Sequence, residues 1–122
     1  MAKILIIEDD PFIRNVYDKI LTKDNHRVVT AKDGQEGLDA AERYSPDLII
    51  LDMMMPVLDG IQFLEAYNIK EKHPTVKVIV LSNNMMQEKI NQAVELGAVN
   101  YKTKSMFSPR EMIDLVQETL KP

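Results

Sequence analysis

A chain of 122 residues, 45% of them hydrophobic, has length for one core and no second, so residues 1–122 are expected to form one domain. Its net charge of −4, an isoelectric point near 5.1 and basic residues scattered along the chain argue against nucleic-acid binding by this chain alone. The absence of cysteine excludes a disulfide framework, a thiolate metal site and a cysteine nucleophile. Met1-Ala2-Lys3 leads directly into an apolar run with no signal peptide before it, and no apolar run approaches the roughly 20 residues of a membrane span. The expected location is the cytoplasm, without membrane contact.

Apolar runs bounded by turn residues alternate with segments of helical period, the pattern of a parallel sheet covered on both faces, and five such strand and helix units follow one another. Ile4 to Ile7 forms the first strand and runs into Glu8, Asp9 and Asp10. The first helix opens with Asp10 at the cap and Pro11 in the first turn; Ile13, Val16, Tyr17 and Ile20 make its inward stripe, and Lys23-Asp24-Asn25 ends it. Arg27 to Thr30 is the second strand. Asp33-Gly34-Gln35-Glu36 has capping-box spacing and opens a helix to about Tyr44, which Ser45-Pro46 stops. Leu48 to Leu51 is a buried strand ending in Asp52, and a loop carries the chain to Gly60 and a third helix with Ile61 and Leu64 inward. Val78 to Leu81 runs into Ser82. The fourth helix, from about Gln87 to Leu96, turns Ile90, Ala93 and Val94 inward, with Gly97 as its left-handed stop. The short strand Val99-Asn100-Tyr101 leads to Lys104, and a second capping box, Ser108-Pro109-Arg110-Glu111, starts the last helix, in which Met112, Ile113, Val116 and Leu120 face the sheet. His26 and His73 have no ligand spacing around them and read as surface residues.

The chemistry gathers at the strand ends. In an open parallel sheet ligands bind at the carboxyl edge, where this pattern puts Glu8, Asp9, Asp52, Ser82 and Lys104 together. Taken singly, the acids solvate a strand end or cap a helix, Ser82 caps the next helix, and Lys104 is a solvated lysine. Taken together, Glu8, Asp9 and Asp52 are three carboxylates that repel one another unless a cation holds them. Hard oxygen ligands that leave coordination positions open suit Mg²⁺, and Mn²⁺ would also fit. A carboxylate can be a covalent nucleophile toward a phosphoryl group when a metal and a cationic side chain hold the charge of the transfer, and Lys104 is placed to be that cation. Ser82 can donate to a phosphoryl oxygen. Met53, Met54, Met55, Met85 and Met86 read as adaptable loop filling beside the site.

The ordered set Glu8-Asp9, Asp52, Pro56-Val57-Leu58-Asp59-Gly60, Ser82, Gly97-Ala98 and Lys104 resembles the receiver domain of the two-component response regulators, in a chemotaxis-regulator-like single receiver, from about Ala2 to Leu120. The resemblance implies a flavodoxin-like α/β fold: a doubly wound, five-stranded parallel sheet of order 2-1-3-4-5. It implies that Asp52 is the phosphoacceptor, that Glu8, Asp9, Asp52 and the backbone carbonyl of Met54 are the metal ligands, and that Ser82 and Lys104 hold the phosphoryl oxygens. Ser82 and Tyr101 take the places of the family's switch pair. Met54 and Asn84 occupy the two variable positions flanking the phosphoryl group, and Ser105 follows Lys104 where the family usually has proline. The implied donor is a sensor histidine kinase or phosphotransfer protein. The implied output is a partner bound on the face of the fourth helix, fifth strand and fifth helix. Such a chain promotes its own phosphorylation and dephosphorylation and turns over no independent substrate. A Mg²⁺-dependent aspartyl phosphohydrolase is a rival reading, but that class resembles chains with a second Asp two residues past the nucleophile, where Met54 stands here. A receiver that binds partners without being phosphorylated is the other.

Overall fold

A computed structural model describes residues 2–83, 87–104 and 108–121. Asn84, Met85, Met86 and Ser105, and with Ser105 the peptide after Lys104, lie outside the described residues.

Five parallel strands, β1 (Lys3–Ile7), β2 (Arg27–Ala31), β3 (Leu48–Asp52), β4 (Lys77–Ser82) and β5 (Asn100–Thr103), pair in the order β2-β1-β3-β4-β5. The helices are α1 (Pro11–Lys23), α2 (Gly34–Tyr44), α3 (Gly60–Tyr67), α4 (Ile69–Lys72), α5 (Gln87–Glu95) and α6 (Pro109–Leu120). The parallel sheet is the one the alternating pattern predicts, and its order is that of the doubly wound, flavodoxin-like α/β architecture implied by the resemblance.

The period of two along each strand sorts the core into two halves. Leu5 and Ile7, Ile49 and Leu51, and Val78 and Val80 meet Phe63 and Leu64 of α3, Ile69 of α4 and Ala93 of α5 on one face. Ile4 and Ile6, Leu48 and Ile50, and Ile79 and Leu81 meet Tyr17 and Leu21 of α1 and Met112, Leu115 and Val116 of α6 on the other. β3 is buried along its whole length at the sheet centre, which is why it reads as a continuous apolar run.

Several local expectations are corrected. The face of α1 that reaches the core is centred on Tyr17 and Leu21, with Val16 on the exposed side. Val94 of α5 is likewise exposed, and on α6 Leu115 is buried where Ile113 is only half-buried. The third helix is two pieces: Asn68, at φ 54°, turns the chain left-handed between α3 and α4. The box at α2 is incomplete. Asp33 accepts from Glu36 N at 2.8 Å, but Glu36 Oε1 accepts from Lys32 N at 3.0 Å, one residue too early for a reciprocal pair. A complete box stands at α3 between Asp59 and Gln62, and another at α6 between Ser108 and Glu111. Gly97, at φ 113°, closes α5 in a Schellman pattern: its N–H donates to Val94 O and that of Ala98 donates to Ala93 O. Neither histidine is a plain surface residue. The His26 side chain is 8% exposed and its Nδ1 accepts from Ala2 N, while the His73 ring stacks on Tyr67 at 4.0 Å.

Candidate functional site

The pleat that builds the core also builds the pocket. Ile4 and Ile6 face α1 and α6, and so do Leu48 and Ile50. Continuing each alternation by one step puts Glu8 and Asp52 on that same side. The register Ile6 to Ile50 and Ile7 to Leu51 makes them neighbours across the pair of strands. Glu8 lies one residue past β1, but its N–H still donates to Ala31 O at 3.1 Å, so the ladder to β2 carries on through it. Both acids are buried, at 2% and 3% exposure, and Ser82, the last residue of β4, is at 1%. Asp52 ends β3 itself, and its Oδ1 accepts from Met54 N at 3.2 Å as the chain turns away.

Carboxylate oxygens of Glu8, Asp9 and Asp52 lie within 4.8 Å of one another, the metal-ligand cluster found among the described residues. Asp9 is the exposed member. The N–H of Asp10 donates to Glu8 Oε2 at 3.1 Å. As expected, the Asp10 side chain caps α1 through Phe12 N and Ile13 N and takes no place in the cluster.

Lys104 supplies the cation. β5 lies two strands from β3, about 10 Å at the usual spacing, and only a long stem can span that gap. The Lys104 side chain, 10% exposed, puts Nζ 2.6 Å from Glu8 Oε1 and 3.0 Å from Asp52 Oδ2. One ammonium cannot neutralise three carboxylates, and burial acts on the remainder. Burial pushes the Glu8 carboxyl up to about 7 against the pull of Lys104. Burial likewise raises Asp52, again opposed by Lys104. Asp9 pays some burial as well, but hydrogen bonding with Asp52 and Glu8 outweighs it and lowers its carboxyl. Burial pulls Lys104 down, but its bonds to Glu8 and Asp52 outweigh that and hold its pKa above the ordinary value. Burial thus favours the protonated forms of Glu8 and Asp52, and a divalent cation bound between them would favour the charged forms.

Hard carboxylate donors at this spacing fit a small divalent ion such as Mg²⁺ and include no soft ligand for a thiophilic one. Beside the pocket, a groove of about 210 Å³ is lined by Phe12, Ile13, Val16, Tyr17, Asn83 and Lys104. Tyr101, on β5 opposite Val80, is 43% exposed, and Met54 is 71% exposed. Of the residues expected at the site, Glu8, Asp9, Asp52 and Lys104 are thus in mutual reach, Ser82 is buried at the end of the neighbouring strand, and Tyr101 points outward on the edge strand. Sequence reading missed Arg14, whose Nη1 donates to Glu8 O at 2.9 Å. Its i+4 position from the cap Asp10 was the only available signal.

The sequence profile of the response regulator receiver domain matches residues 4–117. The chain is 33% identical over 121 residues to the chemotaxis protein CheY of Halobacterium salinarum, with 98% of each covered. It is 35% identical over 119 residues to the alkaline phosphatase synthesis transcriptional regulatory protein PhoP of Bacillus subtilis, covering 98% of this chain and 48% of that one. It therefore spans about half the length of the PhoP protein. Among solved structures it is similar to a CheY-like response regulator receiver domain protein of Methanospirillum hungatei, with a TM-score of 0.90, 27% identity, and 98% and 94% of the two chains covered. No helix among the described residues is long and apolar enough to cross a membrane.

Proposed function

The chain belongs to the response regulator receiver domain family, and we propose that it is a receiver whose Asp52 accepts a phosphoryl group from a histidine kinase or phosphotransfer protein. It is a phosphoacceptor and not a turnover enzyme. The observation that carries the assignment of Asp52 is its place: a carboxylate buried at the end of the central strand, 3.0 Å from Lys104 Nζ and clustered with Glu8 and Asp9.

An Asp52 carboxylate oxygen attacks the phosphorus of a phosphohistidine. The new O–P bond forms as the P–N bond breaks, and the imidazole nitrogen leaves with that electron pair, taking up a proton. Glu8, Asp9, Asp52 and the carbonyl of Met54 would hold Mg²⁺, or Mn²⁺ in its place. When bound, the ion offsets the charge of the phosphoryl oxygens among three carboxylates. Lys104 leaves Glu8 to pair with a phosphoryl oxygen, and Ser82 donates to another. The groove beside Lys104, walled by Phe12 and Val16, is the open side by which a donor reaches the pocket.

The acyl phosphate adds roughly −1.5 to −2 charges and new acceptor oxygens. Ser82 moves toward them, and Tyr101, now outward, turns in behind it. This changes the face of α5, β5 and α6, the fourth helix, fifth strand and fifth helix of the sequence pattern, where an output partner binds. A cytoplasmic location goes with such a donor.

Incubation with a small phosphodonor and Mg²⁺ is expected to add one phosphoryl mass that hydroxylamine removes and that Asp52→Ala lacks. A mass gain retained in Asp52→Ala refutes the acceptor assignment. No gain in the unaltered chain from several donors makes it a receiver that binds without being phosphorylated.

A further inference from the structure

Arg14 carries its charge on the helix that follows the acidic strand end. It lies on α1 one turn beyond the cap, half-buried, and among the described residues it makes no ion pair. Its Nη1 instead donates to the backbone carbonyl of Glu8 at 2.9 Å. Glu8 is then held at every polar atom it owns: N–H to Ala31 O, Oε2 by Asp10 N, Oε1 by Lys104, and carbonyl by Arg14. That carbonyl belongs to the Glu8–Asp9 peptide unit, so the bond from Arg14 fixes the plane from which the Asp9 side chain departs. Asp9 is the exposed member of the cluster and lacks the packing that positions Glu8 and Asp52.

We infer that Arg14 is a positioning residue for the acidic pocket: it locks the Glu8–Asp9 peptide so that Asp9 meets a divalent cation together with Glu8 and Asp52. The inference rests on the metal reading of that pocket. Groups that orient ligands without touching the metal typically change affinity by about 10–100-fold when removed, and a hydrogen bond from a guanidinium is of the stronger, charge-assisted kind.

The sign of the effect separates this role from the alternatives. If Arg14 acted only as a nearby positive charge, removing it would tighten Mg²⁺, because two cations repel. If it only held α1 in place, removing it would lower the melting temperature of the metal-free chain and leave Mg²⁺ affinity alone. Positioning predicts the reverse of the first and a different readout from the second.

The experiment is calorimetric titration of MgCl₂ into the full chain, with the metal-free melting temperature recorded beside it, for the unaltered protein, Arg14→Ala and Arg14→Lys. Arg14→Ala is expected to bind Mg²⁺ about tenfold more weakly, with Arg14→Lys, which keeps one donor, recovering part of the loss. Mg²⁺ bound equally or more tightly by Arg14→Ala overturns the role while leaving the metal site standing. An unaltered chain that binds no Mg²⁺ overturns the metal reading and the role with it. If Arg14→Ala does not fold, the unaltered chain against Arg14→Lys decides: equal affinity overturns the role, and weaker binding by the lysine variant upholds it.

Discussion

Burial pushes the Glu8 carboxyl from the ordinary 4.5 up to about 7, while Lys104 at 2.6 Å pulls it back. Between those two values the folded chain holds a proton that the unfolded chain has released, so raising the pH through this window costs stability. Asp52, also raised, adds to the same slope; Asp9, lowered, acts only in more acid solution, and Lys104 only in more alkaline. Urea unfolding of the metal-free chain is therefore expected to show its advantage over Glu8→Gln shrinking as the pH rises from 4.5 to 7, by at most about 3 kcal/mol. Parallel pH profiles for the two proteins would contradict the raised Glu8. At this scale much of the candidate site was legible in the sequence, because Glu8, Asp9, Asp52 and Ser82 stand where an apolar strand stops, and such a strand end is readable from composition; Lys104 follows a short, mostly exposed strand and was less plain. What could not be read was the pairing. The acids looked like a cluster in need of a metal, yet Lys104 meets two of them directly. Arg14 was hidden for another reason: an arginine on an amphipathic helix looks solvated, and its bond goes to a backbone carbonyl that no side-chain pattern records.

The loop that leaves Asp52 for α3 ends at a glycine packed back against it. A Cβ on Gly60 would stand 2.7 Å from Met53 Sδ, 2.8 Å from Met53 Cα and 3.0 Å from Asp52 O. Two of those atoms are backbone, one in Asp52 itself and one in Met53 next to it, so the strain of a larger residue reaches Asp52. Gly97 is a different case: its φ of 113° disfavours a side chain, and its neighbour would be Ile69 on α4, away from the pocket. Both Gly60→Ala and Gly97→Ala are expected to cost about 1–3 kcal/mol in urea unfolding. Only Gly60→Ala is expected to slow phosphoryl uptake from a small donor, followed by mass. Equal uptake by the two variants would show that the loop does not set the acceptor. Element by element, the strands were the clearest part of the sequence, since runs such as Leu48 to Leu51 admit little else. The helix faces were less clear. A stripe from Ile13 can continue through Val16 or Tyr17, and packing against Leu21 and α6 chose Tyr17. The break at Asn68 carries neither glycine nor proline, only an asparagine that tolerates the left-handed turn.

Across the molecule, signalling requires two arrangements whose balance the phosphoryl group can tip. Moving a population from 1:99 to 99:1 takes about 5.5 kcal/mol of differential interaction, and charge-assisted bonds to Ser82 and Lys104 are of the kind that supplies it. The edge of the sheet is where movement costs least: β5 has only four residues, most of them exposed, whereas β3 is buried throughout. A beryllofluoride adduct, which mimics the phosphoryl group, is expected to shift amide resonances of β5 and the first half of α6 as well as those around Asp52. Ser82→Ala is expected to keep the local shifts and lose most of the distant ones. Shifts confined to the pocket in the unaltered protein would mean that the domain accepts phosphate without relaying it through Tyr101.

The ion pair between Glu8 and Lys104 joins the first strand to the residue after the last. During synthesis Glu8, Asp9 and Asp52 all leave the ribosome before Lys104 does, and an unfinished chain carries the acids with no counter-charge among them. The contacts of Lys104 with Glu8 and Asp52 can therefore form only once β5 has taken its place beside β4. A partly folded copy without β5 in place would carry Asp52 but not the ammonium that lies 3.0 Å from it in the folded domain.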